Sequence, residues 1–136
     1  MTLDEWIDIY NSKASLPFKR DKKYALVYLP DKGFCELNIF DDMVVINQLC
    51  GDGRYWKAQA EELARRKGIT DLGTWCVRKA IKAYIRLFGF RIVEVECTSD
   101  GKERYHCLDK NNLEGLVSPA FVCDDGVQAY LITWKV

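Results

Sequence analysis

The feature that most constrains the fold is an apolar run at residues 43–49, which leads through Gly51 and Gly53 into an amphipathic segment. The run predicts a buried strand, the glycines predict a tight turn, and residues 54–67 predict a helix. A helix that begins at such a turn presents unpaired N–H groups and the positive end of its dipole. The junction is therefore a candidate anion site, although a plain strand-to-helix connection has the same pattern.

The remaining pattern predicts a mixed α/β sheet flanked by helices. A capping box at residues 2–5 begins an amphipathic helix that runs to about residue 12. The cleanest helical period covers residues 77–88 and ends at Gly89. Because a helix joins two strands at residues 54–67, we expect one parallel pairing in a mainly antiparallel sheet. The predicted strands are residues 24–29, 34–40, 43–49, 69–76, 90–97, 104–108, 117–123 and 127–134.

Length and charge narrow the class of protein. The chain has 136 residues, which predicts a single domain, residues 1–136, with a real core. Lys+Arg and Asp+Glu are both 20, and this balance argues against broad binding to nucleic acid. No apolar run approaches the ~20 residues of a membrane span, and the N-terminus does not resemble a signal peptide. We expect a cytoplasmic protein that does not bind membranes.

The six cysteines include no C-x-x-C pair, and several lie in apolar runs. They are therefore expected to be reduced, buried thiols, as is usual in the cytoplasm. Cys97, His106, Cys107 and Cys123 are the residue types that bind metals, but their spacing fits no zinc pattern. No metal site is predicted.

Two basic groups of residues could contact an anion. One is the short run at residues 19–23, and the other is the row of Arg78, Lys82 and Arg86 along one face of the predicted helix at 77–88. Solvated surfaces are the favoured interpretation of both. A nucleic-acid accessory module is the alternative, and the zero net charge argues against it.

The segment Gln48-Leu49-Cys50-Gly51-Asp52-Gly53 resembles the signature Gln/Arg-x-x-Gly-x-Gly/Ala of the GNAT superfamily of acyl-CoA N-acyltransferases. The signature lies after a strand and opens a helix, as in that family, and Gly89-Phe90 lies where the family begins its next strand. The resemblance covers roughly residues 24–97 and implies a GNAT-like fold, with a central mixed, mostly antiparallel sheet flanked by helices. Val77 replaces a frequent Asn, and one extra residue separates Tyr84 from Gly89.

The resemblance implies an N-acetyltransferase that transfers an acetyl group from acetyl-CoA, its cosubstrate, to a primary amine. Ile46 would lie near the pantetheine arm, and Arg54 would add a charge-assisted bond to phosphate. The Asp52 side chain is expected to point away from the anion. The residues implied in acetyl-CoA binding are Ile46, Gln48, Leu49, Cys50, Gly51, Asp52, Gly53 and Arg54.

The catalytic candidates are less specific. Tyr84 would protonate the departing thiolate, with a place in the helix core as the alternative. Glu36, expected on the wet face of its strand, is a candidate base, and Asp41 and Asp42 are others. The acceptor would be an amine-bearing small molecule or protein, and a homodimer is left open. The second hypothesis is a GNAT-like binding or accessory protein without turnover.

Overall fold

The computed structural model describes residues 1–136 as three helices and eight strands. The helices are α1 (Leu3–Lys13), α2 (Gly53–Lys67) and α3 (Ile81–Leu87). The strands are β1 (Ala25–Leu29), β2 (Gly33–Phe40), β3 (Met43–Gly51), β4 (Asp71–Cys76), β5 (Phe90–Cys97), β6 (Glu103–Asp109), β7 (Glu114–Val122) and β8 (Gln128–Lys135).

All eight strands form one sheet in the order β1-β2-β3-β4-β8-β7-β6-β5. β3 and β4 are parallel, whereas every other pairing is antiparallel. The parallel step runs through α2, because a helix must carry the chain back before a parallel strand can begin. The predicted fold class, a mixed, mostly antiparallel sheet with helices, is confirmed.

Local sequence signals define the start of α1 and the end of α2. The Thr2 hydroxyl accepts from the Glu5 N–H and the Glu5 carboxylate accepts from the Thr2 N–H, so the predicted capping box is present. α2 ends at Gly68, which adopts the left-handed conformation with φ 67°. These two helices therefore follow from interactions within a few residues of the chain.

The helices cover opposite faces of the sheet. Trp56 and Ala60 of α2 and Ile85 of α3 pack with Val44 and Ile46 in the main core. On the other face Tyr10 of α1 packs with the buried Phe34 and Cys50. Successive strand residues point to opposite sides, so each strand contributes to both layers. We call these the α2/α3 face and the α1 face.

The predicted helix at residues 77–88 is wrong in its first turn. Residues 77–80 are not helical, because the Val77 carbonyl accepts from the Ser15 N–H at 2.8 Å and Arg78 forms a β-bridge with Ala14. Arg78 therefore does not share a helix with Lys82 and Arg86, and the predicted basic row does not form.

A buried ionic cluster joins α2 to the end of β6. The Lys57 ammonium lies 2.9 Å from Glu61 and 3.1 Å from Asp109, and the Trp134 indole donates to Glu61 at 2.9 Å. Burial alone would raise the pKa of Asp109. N–H groups of the following turn and the Lys57 ammonium reverse this effect and hold that pKa below its usual value.

All six cysteines are free, and five of them are buried. None of the three helices combines the length and the hydropathy that a bilayer crossing needs.

Candidate active site

The parallel strands β3 and β4 separate after a short pairing. Their register runs from Met43 opposite Asp71 to Ile46 opposite Thr74 and then stops. Beyond Ile46, β3 continues paired with β2 alone, and beyond Thr74, β4 continues paired with β8 alone. The end of this pairing leaves an opening between β3 and β4 in the middle of the sheet, with the glycine turn at the far end of β3.

The glycine turn requires glycine for conformational and steric reasons. Gly51 has φ 104°, and a Cβ at this position would lie 2.2 Å from the Lys32 carbonyl oxygen. Gly33 crosses it with φ 95°, so the two backbones approach more closely than side chains would permit. The crossing holds the end of β3 at a defined place beside the start of α2.

The N-terminus of α2 has free donors and one acidic neighbour. The first N–H groups of the helix, those of Gly53 and Arg54, have no acceptor within the helix. Asp52 is the N-cap, and its carboxylate accepts from the Tyr55 N–H at 3.0 Å. Lys32 lies 3.5 Å from the same carboxylate. An anion at this end would meet two N–H groups, the helix dipole and Lys32, but also the Asp52 charge.

The Gln48, Leu49 and Cys50 side chains serve packing and loop attachment. Gln48 donates to the Lys19 carbonyl at 2.7 Å and accepts from the Lys19 N–H at 3.1 Å. Leu49 belongs to the main core, and Cys50 belongs to the cluster beneath α1. Any contact of these three residues with a ligand would be made by their backbone.

Arg54 binds the end of α3. Its guanidinium donates to the Arg86 carbonyl at 3.3 Å, and its Cγ is 3.4 Å from the position of a Cβ on Gly89. A cation at the C-terminus of a helix interacts favourably with the negative end of the helix dipole. The predicted bond from Arg54 to phosphate stays a prediction and requires this side chain to leave α3.

Arg78 lies in the opening, although the sequence pattern placed it on a solvated helix face. Its guanidinium donates to the Leu49 carbonyl at 3.4 Å and lies 5.3 Å from the Tyr84 ring centre. Arg78 thus connects the segment after β4 with the far part of β3. Its four-residue spacing from Lys82 concealed this role, because only the tertiary bridge to Ala14 removes it from the helix.

Tyr84 lies on the α2/α3 face next to the opening. It is buried, and its ring stacks on Phe88 with ring centres 5.9 Å apart. Burial raises the pKa of Tyr84 above its usual value, with Arg78 acting in the opposite direction. The buried hydroxyl of Thr74, in the last parallel pair, lies next to the Tyr84 hydroxyl and also acts to lower the pKa of Tyr84. Tyr84 therefore holds its proton at ordinary pH, and its role as acid stays a prediction.

Glu36 is not on a wet face, and that expectation was wrong. It is fully buried, because the loop before β1 covers it. Its Oε2 atom accepts from Arg20 at 2.6 Å and from the Asp21 N–H at 2.9 Å. Its Oε1 atom accepts from Asn47 at 3.1 Å and from Gln48 at 2.5 Å. With both oxygens occupied, Glu36 is placed to orient its neighbours.

The alternative bases Asp41 and Asp42 lie at the other end of β3 from the glycine turn. They form the loop between β2 and β3, both with positive φ. The nine residues of β3, Met43–Gly51, span ~26 Å from the first to the last Cα atom. The structure therefore does not bring these carboxylates to the turn.

A cavity of about 450 Å³ opens on the α1 face where the parallel pairing ends. Asn47 and Trp75, the first residues beyond the last pair on their strands, both line it. The cavity is apolar and aromatic over much of its surface and contains no acidic side chain. Its lining residues are Tyr10, Leu16, Pro17, Lys19, Asn47, Gln48, Trp75, Val77 and Phe121.

No protein-family model matches the sequence, and no curated protein matches it. Among solved structures, the chain is similar to the ribosomal-protein-S18-alanine N-acetyltransferase from Escherichia coli. The identity is 15%, the TM-score is 0.56, and the match covers 98% of this chain and 87% of the other. This likeness confirms the GNAT-like fold that the resemblance of residues 48–53 implied.

Proposed function

We propose that the protein is an N-acetyltransferase that uses acetyl-CoA as donor and a primary amine as acceptor. The observation that carries the proposal is the divergence of β3 and β4 after Ile46 and Thr74, with the start of α2 at the end of β3. The opening would hold the extended pantetheine arm once the Arg78 side chain leaves the Leu49 carbonyl, and the N–H groups of Gly53 and Arg54 would bind the pyrophosphate.

In the proposed reaction the amine nitrogen attacks the acetyl carbonyl carbon and the C–S bond breaks to release the CoA thiolate. The proton that the nitrogen loses would pass to solvent water, from which Tyr84 would be reprotonated after it has given its own proton to the thiolate. The Tyr84 hydroxyl, protonated and beside the opening, would donate to the departing thiolate. Positioning of the amine against the thioester would supply a large part of the rate. The reaction thus does not depend on Glu36 as a base.

Calorimetry and thermal unfolding with acetyl-CoA test the donor site. At 100 times Kd, acetyl-CoA should stabilise the fold by about 2.7 kcal/mol, which corresponds to a Tm increase of roughly 10 °C for a chain of this size. S-acetyl-pantetheine, which lacks the pyrophosphate, is the matched control and should produce a much smaller shift. Equal shifts, or none with either compound, would refute the proposed donor site.

The second candidate is a binding protein that has the fold without turnover. The occupation of both Glu36 oxygens favours it, since the cavity then contains no carboxylate base. Release of the CoA thiol in the presence of an amine panel separates the two. Binding of acetyl-CoA with no thiol release for any amine would favour the binding protein.

A further inference from the structure

The lining of the cavity on the α1 face disfavours a second positive charge on the acceptor. Its only charged lining residue is Lys19, and the nearby Glu36 carboxylate is buried and paired with Arg20. Any primary alkylamine must lose its ammonium proton before it reacts, and a monoamine is then uncharged in the cavity. A polyamine keeps a second ammonium group, which would find no counter-ion there.

Two exposed aromatic side chains form one wall of the cavity. Trp75 of β4 and Phe121 of β7 have ring centres 6.2 Å apart, and they are 36% and 43% exposed. Both are placed by the sheet register, Trp75 opposite Leu131 of β8 and Phe121 opposite Ala129 of the same strand. An aromatic pair left open beside a cavity provides a surface on which a further ring can pack.

A single polar atom is available next to this wall. The Asn47 amide nitrogen donates to the buried Glu36 carboxylate at 3.1 Å, which turns the amide oxygen the other way. The Gln48 amide is fully used by Glu36 and by the Lys19 backbone. The Asn47 oxygen is therefore free to accept an N–H bond from a molecule in the cavity, at the point where the parallel pairing ends.

We infer that the acceptor is an arylalkylamine, in which a short alkyl chain joins an aromatic ring to a primary amine. This inference rests on the proposed acetyl transfer. The ring packs on Trp75 and Phe121, and the amine donates to the Asn47 oxygen. In this pose the nitrogen lone pair faces the opening between β3 and β4. Glu36 acts as a positioning residue, since it orients Asn47.

The test compares three amines with saturating acetyl-CoA, with CoA thiol release as the rate. We expect kcat/KM for phenethylamine to exceed that for n-butylamine and for 1,4-diaminobutane at least about tenfold, because only the first carries a ring. Equal rates for the three amines, or a preference for the diamine, would overturn the inference. The proposed transferase function would survive either result.

Matched variants locate the two contacts. Trp75→Ala should raise KM for phenethylamine about tenfold and leave n-butylamine unchanged, whereas Phe40→Ala, an equally exposed aromatic outside the cavity, should change neither. Asn47→Ala should lower kcat/KM for both amines, and Asn38→Ala, on the neighbouring strand, should lower neither. Loss of rate in the control variants as well would contradict the assignment.

A binding measurement keeps the inference independent of turnover. Phenethylamine should quench the fluorescence of Trp75, and the Trp75→Phe variant should lose that signal. Absence of saturable quenching would overturn the inference, even if acetyl-CoA binds. Failure of acetyl-CoA to bind would instead refute the proposed function, so the two failures are distinguishable.

Discussion

Asp52 provides the sharpest test of the anion site, because it caps α2 and also places a negative charge beside the proposed pyrophosphate. In Asp52→Asn the charge is removed while the cap remains, since Asn and Asp cap helices about equally well. The fold should lose only the dipole interaction of the carboxylate, about 0.3–1 kcal/mol, and an exposed pair with Lys32 worth at most about 1 kcal/mol.

Asp52→Asn should strengthen the binding of an anionic ligand, although it slightly destabilises the fold. The Asp52 side chain is 42% exposed, so a water-like dielectric applies. An anion on the Gly53 and Arg54 N–H groups lies about 5 Å away, where each pair of unit charges repels by about 0.8 kcal/mol. For the two charges of a pyrophosphate, Asp52→Asn should lower the Kd of acetyl-CoA about 5- to 15-fold at low salt.

Isothermal titration at two salt concentrations measures this change. Glu62→Gln is the matched control, because it removes the same charge from α2 about 15 Å from the N-terminus, beyond the Debye length at physiological salt. The increase in acetyl-CoA affinity caused by Asp52→Asn should become smaller as the salt concentration rises. An unchanged or weaker affinity in Asp52→Asn, with Glu62→Gln like the parent, would refute binding of the anion at α2.

Four further substitutions test the turn, the buried cluster and the proposed acid. Gly51→Ala should cost more than about 2 kcal/mol in the free energy of unfolding, whereas Gly126→Ala, with positive φ but open space, should cost about 1 kcal/mol, as measured in urea. Lys57→Met should cost about 3–5 kcal/mol, because it leaves buried carboxylates without their cation. Folding lowers the pKa of Asp109, so the ionised carboxylate stabilises the fold above its unfolded pKa of ~3.9. This stabilisation is lost as the pH falls through the lower pKa of the folded state. Asp109→Asn should therefore weaken the decrease of the free energy of unfolding at acidic pH. Tyr84→Phe should lower kcat without changing the Kd of acetyl-CoA.

Three other results of these experiments would contradict the structural interpretation directly. Equal destabilisation by the two glycine substitutions would mean that the close approach to Lys32 is not the cause. A Lys57→Met variant as stable as the parent would mean that the cluster is hydrated. If Tyr84→Phe leaves kcat unchanged, the hydroxyl takes no part in the reaction and Tyr84 is a core residue only.

The sequence by itself determined the features whose signals lie within a few residues. The Thr2 capping box, the strand at residues 43–49, the end of α2 at Gly68, and the mixed order of strands and helices were all predictable. Each depends on contacts between residues a few positions apart, so the separation of two residues along the chain is enough to predict that they meet. The resemblance of residues 48–53 to the GNAT signature is a local pattern of the same kind.

Tertiary structure alone decided how the side chains around the opening are used. Glu36 alternates with apolar neighbours as an exposed residue would, but a loop 15 residues earlier in the chain buries it with Arg20. Arg78 keeps helical spacing, but its bridge to Ala14 turns it into the opening. The wall of Trp75 and Phe121 joins two strands far apart in the chain. Burial and orientation at these positions depend on long-range contacts, which the period of a single segment does not contain.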